Sequence, residues 1–287
     1  MHHDLNSLWK STPPRFVVVL DAELAYDHEA HARYQMAERF LPVDAGHLSP
    51  RELRTDPRVT PRWPCHRITT LSWLVMTEAK DGLRPVRLET RGLPEQDEAD
   101  ALRAFFADMK HLGHVRIVTW GGFHADLPQI MIDAMDAGLR LPPSLTGLQS
   151  PWRRDASGHL DLCGEICGGA APAHLAKIAA RLGIPAKLTC RPDLVSRLMQ
   201  QGKWSAVRSV CEGDVLTTAA LLVRWRHLSG GTASVLEATR RLTGFVAEHC
   251  AHRSYAADWR RYGDDLLATA FAVEDRKLKT LAPVACG

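Results

Sequence analysis

The feature that most constrains this chain is a short run, Phe16-Val17-Val18-Val19-Leu20, wholly apolar, rich in β-branched residues and followed at once by Asp21-Ala22-Glu23. Such a run suits a strand covered on both faces, which demands a sheet with packing layers above and below it. Residues two apart on a strand project to one side, so Asp21 and Glu23 share a face where the strand leaves the core. Two carboxylates so placed repel, and a divalent cation is the natural way to keep both ionised. Taken alone, the pair also reads as a polar strand end entering a turn.

Around this strand the periodicity predicts further elements. Apolar runs at Ile68–Met76, Pro85–Leu88 and Arg116–Thr119 read as strands, and Glu95–Leu112 has helical spacing. Residues 50–67, punctuated by Pro50, Pro57, Pro61 and Pro64, read as a loop. Gly121-Gly122 breaks the strand before them, and Asp126-Leu127-Pro128 opens a helix that stops at Gly138. Helical spacing returns at 173–182, at 193–201 and in a long helix from about Lys203 to Leu228. Two amphipathic helices follow near 236–250 and 256–271, without β signals. The expected organisation is an α/β domain over residues 14–229 and a helical C-terminal extension over 230–287.

Composition narrows the class. Of 287 residues, 45 % are hydrophobic and 24 % charged, as in ordinary globular proteins, and a net charge of +3 excludes binding of polyanions by bulk charge. Apolar runs fall well short of the ~20 residues that cross a bilayer, and the amino terminus shows no signal-peptide core. Seven scattered cysteines without a Cys-x-x-Cys pair argue against a disulfide framework or a zinc ribbon. A cytoplasmic protein with reduced thiols and no membrane partner is expected.

Two more acids stand out. Asp126 follows the Gly-Gly break at the mouth of a helix, where it also suits an ordinary N-cap. Asp214 lies inside the long helix on a face shared with Val207, Val210, Cys211, Thr218 and Leu221, and a carboxylate on a buried stripe needs a cationic partner or a metal. Glu212, two residues away, reads as a solvated face charge. Four acids from a central strand, a neighbouring strand end and a late helix suit two Mg²⁺ or Mn²⁺ ions ~3.5–4 Å apart, as used to hydrolyse phosphodiesters.

At these residues the sequence resembles the predicted PolB-like 3'-5' exonucleases, within the DnaQ-like four-acid (DEDD) superfamily. The matching motifs are Val18-Val19-Leu20-Asp21-Ala22-Glu23, then Val118-Thr119-Trp120-Gly121-Gly122 through Asp126-Leu127-Pro128, then Cys211-Glu212-Gly213-Asp214-Val215-Leu216. Cys65-His66-Arg67, His159-Leu160-Asp161-Leu162 and Leu182-Gly183-Ile184-Pro185-Ala186-Lys187 add to the match. The resemblance implies a ribonuclease H-like mixed five-stranded sheet flanked by helices. It also implies metal binding and catalysis by Asp21, Glu23, Asp126 and Asp214, with nucleoside monophosphates released from a 3' end.

The chain departs from that pattern in places. Val210 stands where one branch of the superfamily has Tyr, and Ser209 where the other has His, so neither supplies a general base. Gly121 replaces Asn, Ala125 replaces Phe, and Leu24 replaces the Thr after the first Glu. His124 is the nearest spare imidazole, and His159 reads as a structural hydrogen-bonder. Residues 50–67 carry Arg51, Arg54, Arg58, Arg62 and Arg67 with Trp63, a mix that suits a single strand or merely a solvated arginine-rich loop. Trp152, Arg153 and Arg154 form a weaker set. The candidate substrate contacts are Leu24, Phe123, His124, Trp63, Arg62 and Lys187. The expected partner is nucleic acid, single-stranded DNA ahead of RNA; the alternatives are an exoribonuclease or a nuclease-like module that binds without cleaving.

Overall fold

In the computed structural model, residues 16–148, 158–186, 192–231 and 233–281 are described. The opening apolar run becomes β1 (Phe16–Tyr26), with Val17–Leu20 fully buried. The strand carries both acids, as expected, and runs on past them to Tyr26, held by pairing along its full length with β2 (His66–Ala79). A register shift between Glu23 and Leu24 marks a bulge there.

Five strands form one sheet in the order β3-β2-β1-β4-β5, with β3 at Gly82–Gly92, β4 at Val115–Thr119 and β5 at His159–Asp161. β1 runs antiparallel to β2 and parallel to β4, and β4 parallel to β5, so the sheet is mixed. The two faces follow strand parity. Val18 and Leu20 join Trp73 and Val75 in a core against α3 (Glu98–Leu112) and α4 (Asp126–Asp136). Val17 and Val19 join Leu74 and Met76 in a second core built largely from a later helix, where Val215, Leu216 and Ala219 pack on them.

Residues 50–67 correct the expectation of a continuous loop. α1 (His28–Ala37) precedes them, and α2 (Pro50–Thr55) forms because Ser49 and Glu52 make a capping box with Pro50 at the first helical position. A short 3-10 turn, Trp63–Cys65, leads into β2.

The remaining helices are α5 (Leu162–Cys167), α6 (Leu175–Leu182), α7 (Pro192–Gln200), α8 (Trp204–Leu228), α9 (Val235–His249) and α10 (Ala256–Leu281). α8 lies across the Val17/Val19 face. Through Leu242, Phe245, Val246, Trp259 and Tyr262, the last two helices share the core beneath α8 and the sheet. No helix among the described residues is long and apolar enough to cross a membrane.

Candidate active site

Strand parity explains the site. Residues 17, 19, 21 and 23 alternate with the buried 18 and 20, so Asp21 and Glu23 extend the face on which α8 packs. α8 is held there by Cys211, whose thiol donates to the Asp21 carbonyl at 3.4 Å. Asp214 follows Cys211 by three residues and comes down on the same side of the helix. Ligand oxygens of Asp21, Glu23 and Asp214 accordingly lie within 4.8 Å of one another.

Asp126 is not among the three acids whose oxygens converge, but its carboxyl feels the charges of Glu23 and Asp214. β4 pairs with β1 up to Val19↔Val118, so the turn after Thr119 emerges beside Asp21. Asp126 does not serve as an N-cap: α4 is preceded by Ala125 with no capping side chain, and Asp126 is its first helical residue. It is 7 % exposed. Burial, with the negative charges of Glu23, Asp161 and Asp214, pushes its carboxyl up to about 7. Carboxylates gathered as closely as those of Asp21, Glu23 and Asp214 form a hard-oxygen donor set that divalent cations satisfy. The three converged acids therefore fit a hard divalent cation in donor chemistry.

The turn between Thr119 and Asp126 is rigidly supported. Asp161 accepts from the backbone N–H of Gly121 at 2.7 Å and of Phe123 at 3.1 Å, while also capping α5 through Cys163 N–H at 3.0 Å. Asp161 lies within one of the matching stretches, and its place as an Asp just before a helix is the local signal for this role. Gly121 sits at φ +76°, and a Cβ on Gly122 would lie 2.6 Å from the Thr119 side chain, so both positions suit glycine. His159 hydrogen-bonds Thr119 Oγ1 at 2.9 Å, as expected of a structural histidine, and burial drives its imidazole down to about 4.

Phe123 stacks parallel on His159, ring centres 6.4 Å apart, and is partly exposed; His124 is exposed beside it. Leu24 is half-buried against the Val18/Leu20 core. Trp63 keeps 47 % of its surface exposed. Arg62 is tied to the Thr55 carbonyl at 2.5 Å. Their segment hangs from the Tyr26 end of β1: Asp27 N–H donates to Cys65 O, and the Gln35 amide donates to Arg58 O. Lys187, Trp152, Arg153 and Arg154 lie outside the described residues.

Two features of α8 bear on chemistry. Val210 is buried against Val195 and Val207, and the Ser209 hydroxyl donates to the Ser205 carbonyl of its own helix at 3.0 Å, so neither offers a base. Glu212 corrects the expectation of a solvated charge. It is 2 % exposed and accepts from Arg253 at 2.6 Å, Tyr255 at 2.8 Å and Thr90 at 2.9 Å, because the loop between α9 and α10 covers it.

The family model for predicted 3'-5' exonucleases related to the exonuclease domain of PolB matches residues 61–262. The chain belongs to that family. Within this PolB-related family the matched span takes in Asp126, Asp214 and the α9–α10 loop, and begins after Asp21 and Glu23. Among solved structures, the family B DNA polymerase from the hyperthermophilic archaeon Pyrobaculum calidifontis aligns at TM-score 0.47 and 19 % identity. That alignment covers 82 % of this chain and 29 % of the polymerase chain, so the protein spans under a third of that relative's length. Comparison with curated proteins finds no match. The fold is a mixed five-stranded sheet flanked by helices, as the motifs implied.

Proposed function

We propose that the protein is a metal-dependent 3'-5' exonuclease that hydrolyses phosphodiester bonds from the 3' end of DNA, single-stranded in preference. The observation that carries this reading is the convergence of Asp21, Glu23 and Asp214 within 4.8 Å, with Asp126 buried and subject to the charges of Glu23 and Asp214. These four would hold two Mg²⁺ or Mn²⁺ ions; hard oxygen donors favour those ions over zinc or copper. Bound divalent ions supply Lewis acidity and charge compensation at the scissile phosphate.

The chain's own residues keep the carboxylates converged and present the strand. β1 parity sets Asp21 and Glu23, and the Cys211 tether sets Asp214. Phe123, backed by His159, offers a ring face to a terminal base, while Trp63 and Arg62 offer a stacking surface and a guanidinium along the strand, at ~1–3 kcal/mol per stacked base. Leu24 belongs to the same proposed surface. His124 is the imidazole nearest in sequence to the turn that carries Asp126, and stands in for the missing Tyr or His in orienting the nucleophile.

In this reading residues 14–229 form the nuclease body and 230–287 a helical extension, acting in the cytoplasm; five free cysteines among the described residues suit a reducing compartment. A second reading, a module that holds nucleic acid without cutting it, is favoured by Val210 and by the self-satisfied Ser209.

Incubating the full chain with a 5'-labelled single strand in Mn²⁺ or in EDTA separates the two. Metal-dependent shortening from the 3' end, lost in Asp21→Ala and Asp214→Ala, is the expected result. Strand retention without shortening at every metal concentration supports the binding module instead. An RNA strand of the same sequence reports the sugar preference.

A further inference from the structure

Glu212 and Asp214 lie two residues apart on α8, which places them about 200° apart around the helix axis. Asp214 faces the acids of β1, whereas Glu212 faces the C-terminal helices. A buried carboxylate is stable only when its oxygens are satisfied, and Glu212 draws its donors from separate elements: Thr90 on β3, and Arg253 and Tyr255 in the α9–α10 loop. One turn earlier on α8, Arg208 donates to the carbonyls of Gly92 at 3.1 Å and Leu93 at 2.9 Å, at the end of β3. Beyond Thr90 the contacts continue inward, since its hydroxyl lies 3.0 Å from Ser72 Oγ and Ser72 is the β2 residue paired with Asp21.

We propose that Glu212, Arg253 and Tyr255 are positioning residues that lock the rotation of α8 and thereby hold Asp214 in the carboxylate cluster, giving the C-terminal extension a role in the active site. The proposal rests on the metal-site reading above. Its mechanical basis is simple. A carboxylate roughly 5 Å from a helix axis moves by about 1.7 Å when the helix turns by about 20°, which is enough to spoil ligand geometry held to about 0.5 Å. On the sheet side α8 is held by Val215, Leu216 and Ala219 packed on the Val17/Val19 face and by the Cys211 thiol. Glu212 and Arg208 supply the opposing grip. The extension itself is fixed by Trp259, Leu242 and Phe245 in the core, so its loop presents Arg253 and Tyr255 from a rigid base.

The test uses full-length Arg253→Met, Tyr255→Phe and Glu212→Gln, with Arg253→Lys as the conservative variant. Arg240→Met, which breaks an exposed pair with Glu237 on the same extension, is the control. Mn²⁺ affinity without nucleic acid is read by electron paramagnetic resonance, kcat and KM on a single strand by product release, and folding by thermal melting.

The expected result is ~10- to 100-fold weaker Mn²⁺ binding and a matching fall in kcat, with KM for the strand within about 3-fold, partial recovery in Arg253→Lys and no change in the control. Wild-type Mn²⁺ affinity and kcat, with only a lower melting temperature, would overturn the proposal and leave a structural role. Asp214→Asn run in parallel separates the two levels. If it retains Mn²⁺ binding and activity, the metal-site reading itself has failed. If it loses both while the Arg253 and Tyr255 variants keep both, only the positioning role has failed.

Discussion

Replacing Asp214 by Asn keeps the side chain's shape and removes one charge from a cluster whose ligand oxygens lie within 4.8 Å. At that separation each like-charge pair costs about 1 kcal/mol in a water-like dielectric and about 3.5 kcal/mol at an effective dielectric of 20. Asp214 forms two such pairs, with Asp21 and Glu23, and is 8 % exposed, so screening is incomplete. Hydrogen bonds weakened by the amide offset part of the gain. The expected outcome without divalent ions is a variant more stable by ~2 kcal/mol, or roughly 4 °C in Tm for a chain of this size. With Mn²⁺ at about 100 times its Kd, the wild type gains ~2.7 kcal/mol from binding to the folded state and the variant gains little. The order of melting therefore reverses: the variant melts above the wild type in EDTA and at or below it in saturating Mn²⁺. Differential scanning calorimetry of both proteins in both buffers checks this. A variant that melts lower in EDTA, or one that keeps the full Mn²⁺ shift, would refute the claim that repulsion at this cluster is relieved by a cation.

The turn before Asp126 offers a paired test. Gly121 at φ +76° has open space at its Cβ position, so Gly121→Asn is tolerated within ~1 kcal/mol, whereas Gly122→Ala meets Thr119 at 2.6 Å and loses ~1–3 kcal/mol; urea melts with the reverse order contradict the turn geometry. His159 is held neutral, its imidazole lowered from 6.5 to about 4 chiefly by burial. Between those values the unfolded chain binds more protons than the folded one, so this stabilisation is complete above about pH 6.5 and is lost as pH falls toward about 4. His159→Gln should remove up to ~2–3 kcal/mol of that acid-side loss, and parallel acid limbs for variant and wild type would count against it. Gly213 lies within α8 with nothing within 4 Å of a built Cβ, so Gly213→Ala should raise stability by ~0.5–1 kcal/mol in denaturant titration; a decrease would mean that the helix face beside Val210 is less open than it is drawn.

Several features were readable from the residues because they depend on near neighbours. The buried run Val17–Leu20, the start of α4 at Asp126 and the span of α8 each follow from apolar spacing and local breakers. Other features misled for equally local reasons. Asp21-Ala22-Glu23 also reads as a strand end entering a turn, yet pairing with β2 carries the strand on to Tyr26. Pro50 looked like a loop marker, although a capping box turns it into a helix start. Glu212 looked solvated because no pattern within α8 announces that a loop some 40 residues later will cover it.

The amino-acid sequence by itself determined the strand that bears two acids, the helices that bear the others and the order of the motifs, since these are set by spacing over a few residues. Only the tertiary structure decided that Asp21, Glu23 and Asp214 meet. Their meeting depends on contacts such as that from Cys211 to the Asp21 carbonyl, 190 residues apart in the chain, and on the loop that grips Glu212 from behind. Closing such distances is governed by the packing of whole layers, which no local pattern encodes.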